Sequence, residues 1–573
     1  MKRQPRDVSK PAPARTGLGP ILLAAFGALL VALQVYGPSL DGPFVLDDGY
    51  LPFGRPDAET LPLEVWLIGR PLLGLSYYLN FLMSGQHPAP YHITNTLLHA
   101  GVTFLVFLIL RLALHEPGRR TDLIAAIGAS IFLLHPLQTE AVAYVAGRSD
   151  VLCTLFAYAA FAVFLRYRRP AIGFGAVAAV LGLSLLALLS KQQAVAIPAV
   201  LILIDLWWHD EGSAADSLKR NLRLHGVLVA GAMAGAVWVF AVLGRGTTAG
   251  FRVEGITPID YFLTECRAYW HYVRLLLLPV GQNLDPDFPI SHGLFEHGAA
   301  LGLAATAAVV GAAIRLRRSW PLASAGLLIF LALLAPTSSF IPIQDPVAER
   351  RVYFAMIGPL LIVSEVLRRW RTSLPTLAGA GLTVAALLGI ATYSRATLWG
   401  DEMALWRDTV AQSPNKTRPR FQLAHLLYRV QRCPEAAKEY EVAAKLAKPT
   451  TALLVDWGLA LDCAGRTPEA IERLREAVAN ERTYNSLAQL GMILARQGRI
   501  DEALPLLNDA IAADPSQPSA WGYRGNAYAT QGKLSEAAAD FTRALALNPA
   551  DAAATRGLTY VKQQQQLRLA PVK

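Results

Sequence analysis

The first 393 residues carry apolar runs at about 17–37, 92–112, 121–135, 151–166, 171–189, 193–208, 224–244, 298–314, 320–335, 352–367 and 375–393. A helix needs about 20 apolar residues to cross about 30 Å of hydrocarbon. Inside lipid, a helix satisfies every backbone N–H and C=O within its own segment. Residues 17–393 are therefore expected to form a polytopic helical membrane domain of about eleven spans. The bulk composition agrees: 573 residues, 53% hydrophobic and only 17% charged, with a mean hydropathy of +0.34. Ordinary soluble proteins are less apolar and more charged.

Basic clusters orient the spans, because short cytoplasmic loops hold an excess of Lys and Arg. The N-terminal tail, 1–16, has Lys2, Arg3, Arg6, Lys10 and Arg15, so it is expected in the cytoplasm. Arg111/Arg119/Arg120, Arg166/Arg168/Arg169, Lys219/Arg220/Arg223, Arg315/Arg317/Arg318 and Arg368/Arg369/Arg371 then fall on the same side. This holds if 258–278, "PIDYFLTECRAYWHYVRLLLL", lies at the outer interface as an amphipathic helix. A span would bury Glu265, Arg267, His271 and Arg274 in lipid at high cost. The net charge of +10 is thereby explained by topology, and no nucleic-acid partner is expected. The run at 17–37 is too long for a signal-peptide core and is read as an uncleaved first helix. The localisation expected is a multi-pass bacterial inner membrane protein with its C-terminal domain periplasmic.

Beyond residue 393 the chain reads as soluble, Ala-rich and helical. Ala436, Ala470, Ala503 and Ala537 repeat with a period of 33 or 34, as do the turn glycines Gly465, Gly498 and Gly532. Gly491 and Gly525 allow close helix pairing, and Pro515 and Pro549 end second helices. Agreement of several positions at one period marks a tetratricopeptide (TPR) solenoid. It is expected over 394–565, as a half-repeat at 400–414, about four repeats and a cap, followed by a tail at 566–573. Stacked helix pairs form a concave groove for a peptide or protein partner; the blander role is to dimerise or rigidify the protein. Cys433 and Cys463 fall in neighbouring repeats, where either a disulfide or two thiols fit the spacing.

The outer loops hold the polar motifs. "GPFVLDDGY" places Asp47 and Asp48 side by side after an apolar run. A carboxylate there either caps a helix or, partly desolvated beside a like charge, has the raised pKa that a general base needs. In 68–99, Arg70 precedes an apolar helix, and His92, Asn95 and His99 share one helical face, suited to interhelical hydrogen bonds. The loop 136–150 and its edge bring His135, Glu140, Arg148 and Asp150; Arg148 either grips a phosphate or pairs with Asp150. "LLSKQQAV" isolates Lys191, "LDPDFP" holds Asp285 and Asp287, and "AERRVYF" presents Glu349, Arg350, Arg351 and Tyr353. Arginines at the outer end of a span run against the positive-inside trend, so they are expected to have an anionic partner. No P-loop, nucleotide cradle or zincin motif occurs. The set expected to act is a base at Asp47 or Asp48 and a phosphate grip of Arg148, Lys191, Arg350 and Arg351. No cofactor is required, although a divalent cation is compatible.

The ordered succession FxxDD, RPL-x4-Y-x-LN, YHxxNxLLH, HPxxTEAVAxVxGRxD, LSKxx, LDPDFP and AERRxY, then TPRs, resembles the transmembrane and TPR-containing O-mannosyltransferases and their bacterial relatives, within the GT-C class of glycosyltransferases. The resemblance covers about residues 40 to 560. It implies inverting transfer of mannose or a similar sugar from a polyprenyl-phosphate donor to a Ser/Thr hydroxyl outside the cytoplasm, with an acid of the first outer loop as base. Gln192 departs from the acid that often follows the Lys of LSK in that family. The competing readings are the same enzyme class with a lipid or polysaccharide acceptor, and a membrane-anchored TPR scaffold for envelope assembly.

Overall fold

A computed structural model describes residues 18–169, 171–208, 213–243 and 248–569. The basic tail at 1–16 lies outside them, as do residues 570–573. The described chain is helical throughout; its only strand-like feature is the isolated bridge Ala249–Ile343. It divides into two compact units, Met1–Leu405 and Trp406–Lys573.

The first unit contains thirteen helices that matter here: α1 (Leu18–Tyr36), α2 (Pro71–Ser84), α3 (Ala89–Leu114), α4 (Arg119–Leu134), α5 (Arg148–Tyr167), α6 (Phe174–Ser190), α7 (Ile197–Trp207), α8 (Leu222–Leu243), α9 (Pro258–Leu277), α10 (Ala299–Leu316), α11 (Pro321–Leu334), α12 (Ile357–Arg369) and α13 (Leu374–Trp399). Among the described residues four helical stretches are long and apolar enough to cross a membrane: Ala89–Leu114, Val145–Tyr167, Glu296–Leu316 and Leu374–Trp399. A fifth arises if Arg119–Leu134 and Pro136–Ala143, bent by 51°, count as one span. Ala25–Ser39, Phe174–Ser190, Gln192–Trp207, Leu222–Val237 and Pro321–Leu334 are apolar but shorter. The eleven apolar runs thus do not become eleven full-length spans. Two reasons are visible: α7 and α11 each carry proline in the first turn, and α4 breaks at His135–Pro136. The core is one large apolar cluster running through α3, α4, α5, α7, α11 and α12, with α3 packed on both α4 and α5.

Segment α9 forms one amphipathic helix and does not pass as a span. Thr257 caps it, accepting from the Asp260 N–H. Its charges meet protein partners: Glu265 lies 3.6 Å from Arg351, and Arg267 donates to the Pro289 carbonyl.

In the second unit four helix pairs follow one another. They are α14 (Thr417–Arg429) with α15 (Cys433–Leu446), α16 (Thr451–Cys463) with α17 (Thr467–Asn480), α18 (Tyr484–Arg496) with α19 (Ile500–Ala513), and α20 (Pro518–Thr530) with α21 (Leu534–Leu547). A last helix, α22 (Ala552–Leu569), packs on α21. A half-repeat helix, Glu402–Gln412, precedes them and contains the boundary between the units. The turns inside three pairs need a left-handed residue, and Gly465, Gly498 and Gly532 supply it at φ 79, 74 and 72°. The first pair uses Gln431 there, at φ 61°. Cys433 and Cys463 form a disulfide with Cα atoms 5.7 Å apart.

Candidate functional site

The loop after α1 turns through a short 3-10 segment, Leu46–Tyr50, entered by Leu46 in the left-handed region at φ 48°. A leucine holds that conformation at a cost of about 1–3 kcal/mol and persists there only when its surroundings fix it. Asp48 provides much of the fixing. Its Oδ2 accepts the Val45 N–H at 3.1 Å and its Oδ1 accepts the Ala146 N–H at 2.8 Å, tying this loop to the one before α5. The carboxylate is fully buried. Burial pushes its pKa up to about 7, against the pull of those backbone donors. Asp47 differs: its N–H donates to the Tyr144 hydroxyl at 3.0 Å, and the residue is exposed.

Tyr144 also meets a cation. Arg350 lies over the Tyr144 ring, 5.9 Å from its centroid, and pairs with Glu140, which also accepts the Arg350 N–H at 2.9 Å. Lys191 binds Asp150 at 2.6 Å, and Gln193 donates to the same oxygen at 3.1 Å. The other Asp150 oxygen is buried without a hydrogen-bond partner among the described residues. Arg70 donates to Gln192 at 3.2 Å and has no carboxylate partner among the described residues. Burial lowers the Lys191 ammonium; Asp150 opposes this, while Arg70 and Arg350 add to it. Lys191 thus feels cations from two other stretches of the chain.

Two of the four arginines and lysines expected to grip phosphate do other work. Arg148 is fully buried. It donates to Asn95 Oδ1 at 2.7 Å and to the Tyr91 and Ser76 carbonyls, and it stacks 4.7 Å from the Tyr77 ring centroid. Neither the phosphate grip nor the Arg148–Asp150 ion pair fits this arrangement, because its donors are spent on backbone and Asn95. Arg351 is buried as well, donating to the Pro346 and Asp345 carbonyls and facing Glu265. Arg350, next to Arg351, by contrast keeps contact with the surface: its side chain is 32% exposed.

The remaining candidates fall into place around this frame. His92 reaches the Gly42 carbonyl at 3.1 Å, Asn95 donates to the Val142 and Tyr144 carbonyls, and His99 contacts the Tyr353 hydroxyl at 2.8 Å. This face of α3 does hydrogen-bond across to neighbouring segments, and Tyr353 is part of that bonding. His135 accepts from the Leu137 N–H and meets the Leu276 carbonyl. Glu349 accepts the Asn283 N–H at 2.6 Å, and burial, reinforced by Glu140, pushes its pKa up to about 8. Asp285 is buried in the same loop and Asp287 is exposed. Among the described residues no group of three or more His, Cys, Asp or Glu is set to hold a metal.

Sequence reasoning missed Tyr144, Gln193 and the use of Gln192. Nothing in spacing marks Tyr144 within "TEAVAYVAGRSD"; only the fold brings its hydroxyl to Asp47. Gly147 in that stretch does have a physical signal. A Cβ there would meet the Ala141 carbonyl oxygen at 2.6 Å and that of Glu140 at 2.9 Å, so only glycine lets the turn bring Glu140 and Ala146 together.

Fold and site together define an all-helical membrane protein that carries a TPR solenoid. Residues 455–518 and 488–552 match the tetratricopeptide repeat family model. The chain is similar to curated proteins named protein O-mannosyl-transferases. Tmtc1 of Drosophila melanogaster is 36% identical over 191 residues, covering 30% of this chain and 21% of that protein. TMTC1 of Homo sapiens is 27% identical over 503 residues, covering 75% of this chain and 56% of that protein. F38B6.6 of Caenorhabditis elegans is 24% identical over 401 residues, covering 66% and 53%. The chain thus spans between about a fifth and about half the length of these relatives.

Proposed function

We propose that this chain is an integral-membrane inverting glycosyltransferase that moves mannose or a similar sugar from a polyprenyl-phosphate donor to a Ser or Thr hydroxyl of a protein on the extracytoplasmic face. The observation that carries the proposal is that Tyr144 brings together the exposed Asp47 and Arg350, with Lys191 in electrostatic reach of both Arg350 and Arg70. An acid that accepts a proton and cations that receive a phosphate are what displacement at an anomeric carbon requires. The similarity to proteins named O-mannosyl-transferases supports the same class.

The step is a single displacement. Asp47 takes the acceptor's hydroxyl proton as that oxygen bonds to the anomeric carbon. The bond from that carbon to the phosphate oxygen breaks, and its electron pair leaves on the lipid phosphate. The transition state has oxocarbenium character, as in glycoside hydrolysis. Arg70, Lys191 and Arg350 stabilise the charge that develops on the leaving phosphate. In this reading Arg70 takes the place first expected for Arg148, and Asp48 is a positioning residue that holds the Asp47 loop against the Tyr144 segment. The TPR unit binds a polypeptide, the acceptor or a partner, and both it and the site face away from the cytoplasm.

The test is full-length protein in liposomes supplied with polyprenyl-phosphate mannose and Ser/Thr-rich polypeptide. Mannose is expected on the polypeptide. Arg350→Ala is expected to raise the KM for donor about tenfold or more, since it removes a charge-assisted contact. Absence of transfer from that donor with every hydroxyl acceptor tried, or an unchanged KM, contradicts the reading.

A further inference from the structure

In the second unit the first helices α14, α16, α18 and α20 pack on their counterparts in the next repeat more closely than the second helices do on theirs. The first helices therefore line the inside of the curve, the surface such solenoids use for binding. Asp456 stands on α16, its side chain 31% exposed, and its carboxylate accepts no hydrogen bond among the described residues. Among the described residues the only basic side chain within 4 Å is His425, its Nδ1 at 3.9 Å. Burial and then Arg429 lower that imidazole's pKa, so it is mostly neutral near pH 7. Burial also pushes the Asp456 carboxyl up to about 6. Tyr440, fully buried, lies within electrostatic reach of Asp456 with a hydroxyl that has no hydrogen-bond partner among the described residues. Tyr428 on α14 is also in electrostatic reach of Asp456, and Tyr523 on α20 is in reach of Tyr428.

Six residues further along the same helix the chain shows how such an acid is satisfied. Asp462 accepts from Arg496 Nη1 at 2.9 Å and from the Thr467 hydroxyl at 2.9 Å. Among the described residues an arginine reaches one of these carboxylates and none reaches the other. We propose that the inner surface of the repeat unit seats an extended polypeptide that presents a lysine or arginine side chain to Asp456. The cationic head meets the Asp456 carboxylate, and its stem and charge lie against the tyrosine rings. An acidic side chain at that position is repelled. This inference deepens, and rests on, the reading of the TPR unit as a polypeptide-binding surface.

The experiment measures binding of fluorescent Ser/Ala peptides of about twelve residues, with a central Lys, norleucine or Glu, to the full-length protein in detergent. The Lys peptide is expected to bind about tenfold tighter than the norleucine peptide, and the Glu peptide more weakly than either. Asp456→Asn should abolish the difference between Lys and norleucine, and Asp456→Lys should favour Glu. Equal binding of the Lys and norleucine peptides to the unaltered protein, a Lys preference that survives Asp456→Asn, or no peptide binding at all overturns the proposal. Sugar transfer reports separately: loss of transfer with peptide selectivity kept overturns the transferase reading alone, whereas transfer kept with selectivity absent overturns this one.

Discussion

Asp47 and Asp48 are neighbours in the chain and unequal in chemistry. Asp48 is buried and bonded through both oxygens, while Asp47 is exposed. A base must reach the proton it takes, so the exposed acid is assigned that role and the buried one the shape of the loop. The Asp48 pKa gives a pH signature. Folded, it keeps its proton up to about pH 7; unfolded, it loses it near the ordinary value of 3.8. Folding therefore takes up a proton between those pH values. The stability this contributes is fully present below about pH 4 and lost as pH rises through about 7. Thermal melts of the unaltered protein should fall relative to Asp48→Asn as pH is raised across that window; parallel melts contradict the assignment. The acid pair was legible in the sequence because two carboxylates beside an apolar run are rare and costly. Its division of labour was not, since that depends on an N–H of Ala146 about a hundred residues away. Arg148 was misread for the same reason: its charge is visible in the sequence, but the carbonyls and Asn95 that consume its donors come from α2 and α3.

At the scale of elements, the repeat unit was the most legible part of the chain. A period of 34 needs only local pairing to show itself, and each turn is written in one residue. Where that residue is not glycine, a cost follows. Gln431 sits left-handed at φ 61° where the next three repeats have glycine, and a side chain in that region costs about 1–2 kcal/mol. Gln431→Gly is expected to raise the melting temperature of the repeat unit, by about 1 kcal/mol in stability after the greater unfolded-state freedom of glycine is subtracted. Unfolding followed by circular dichroism checks it, and a lower midpoint counts against the turn argument. The lengths of the membrane helices were not legible in the apolar runs. Hydropathy does not register where proline sets a helix start, as in α7 and α11, or where a chain bends, as it does by 51° after α4.

For the whole molecule, the disulfide carries topological information. Disulfides persist in oxidising compartments and are rare in the cytosol, so Cys433–Cys463 supports a repeat unit outside the cytoplasm. A crosslink closing a loop of this length stabilises by about 4 kcal/mol. Cys153 and Cys266 are free and buried. Protein denatured without reductant is expected to take up maleimide at those two thiols only, and at all four after reduction; four additions without reductant contradict the orientation. The transferase reading itself turns on one carboxylate. The rate of sugar transfer from polyprenyl-phosphate mannose should be compared for folded unaltered protein, Asp47→Asn and Asp48→Asn, with donor binding measured alongside. Loss of a general base lowers the rate by about 10²–10⁴. Asp47→Asn is expected to fall by that much with donor binding kept, and Asp48→Asn by less, with a loss of stability at low pH. Wild-type transfer by folded Asp47→Asn would remove the base from the mechanism and the mechanism with it.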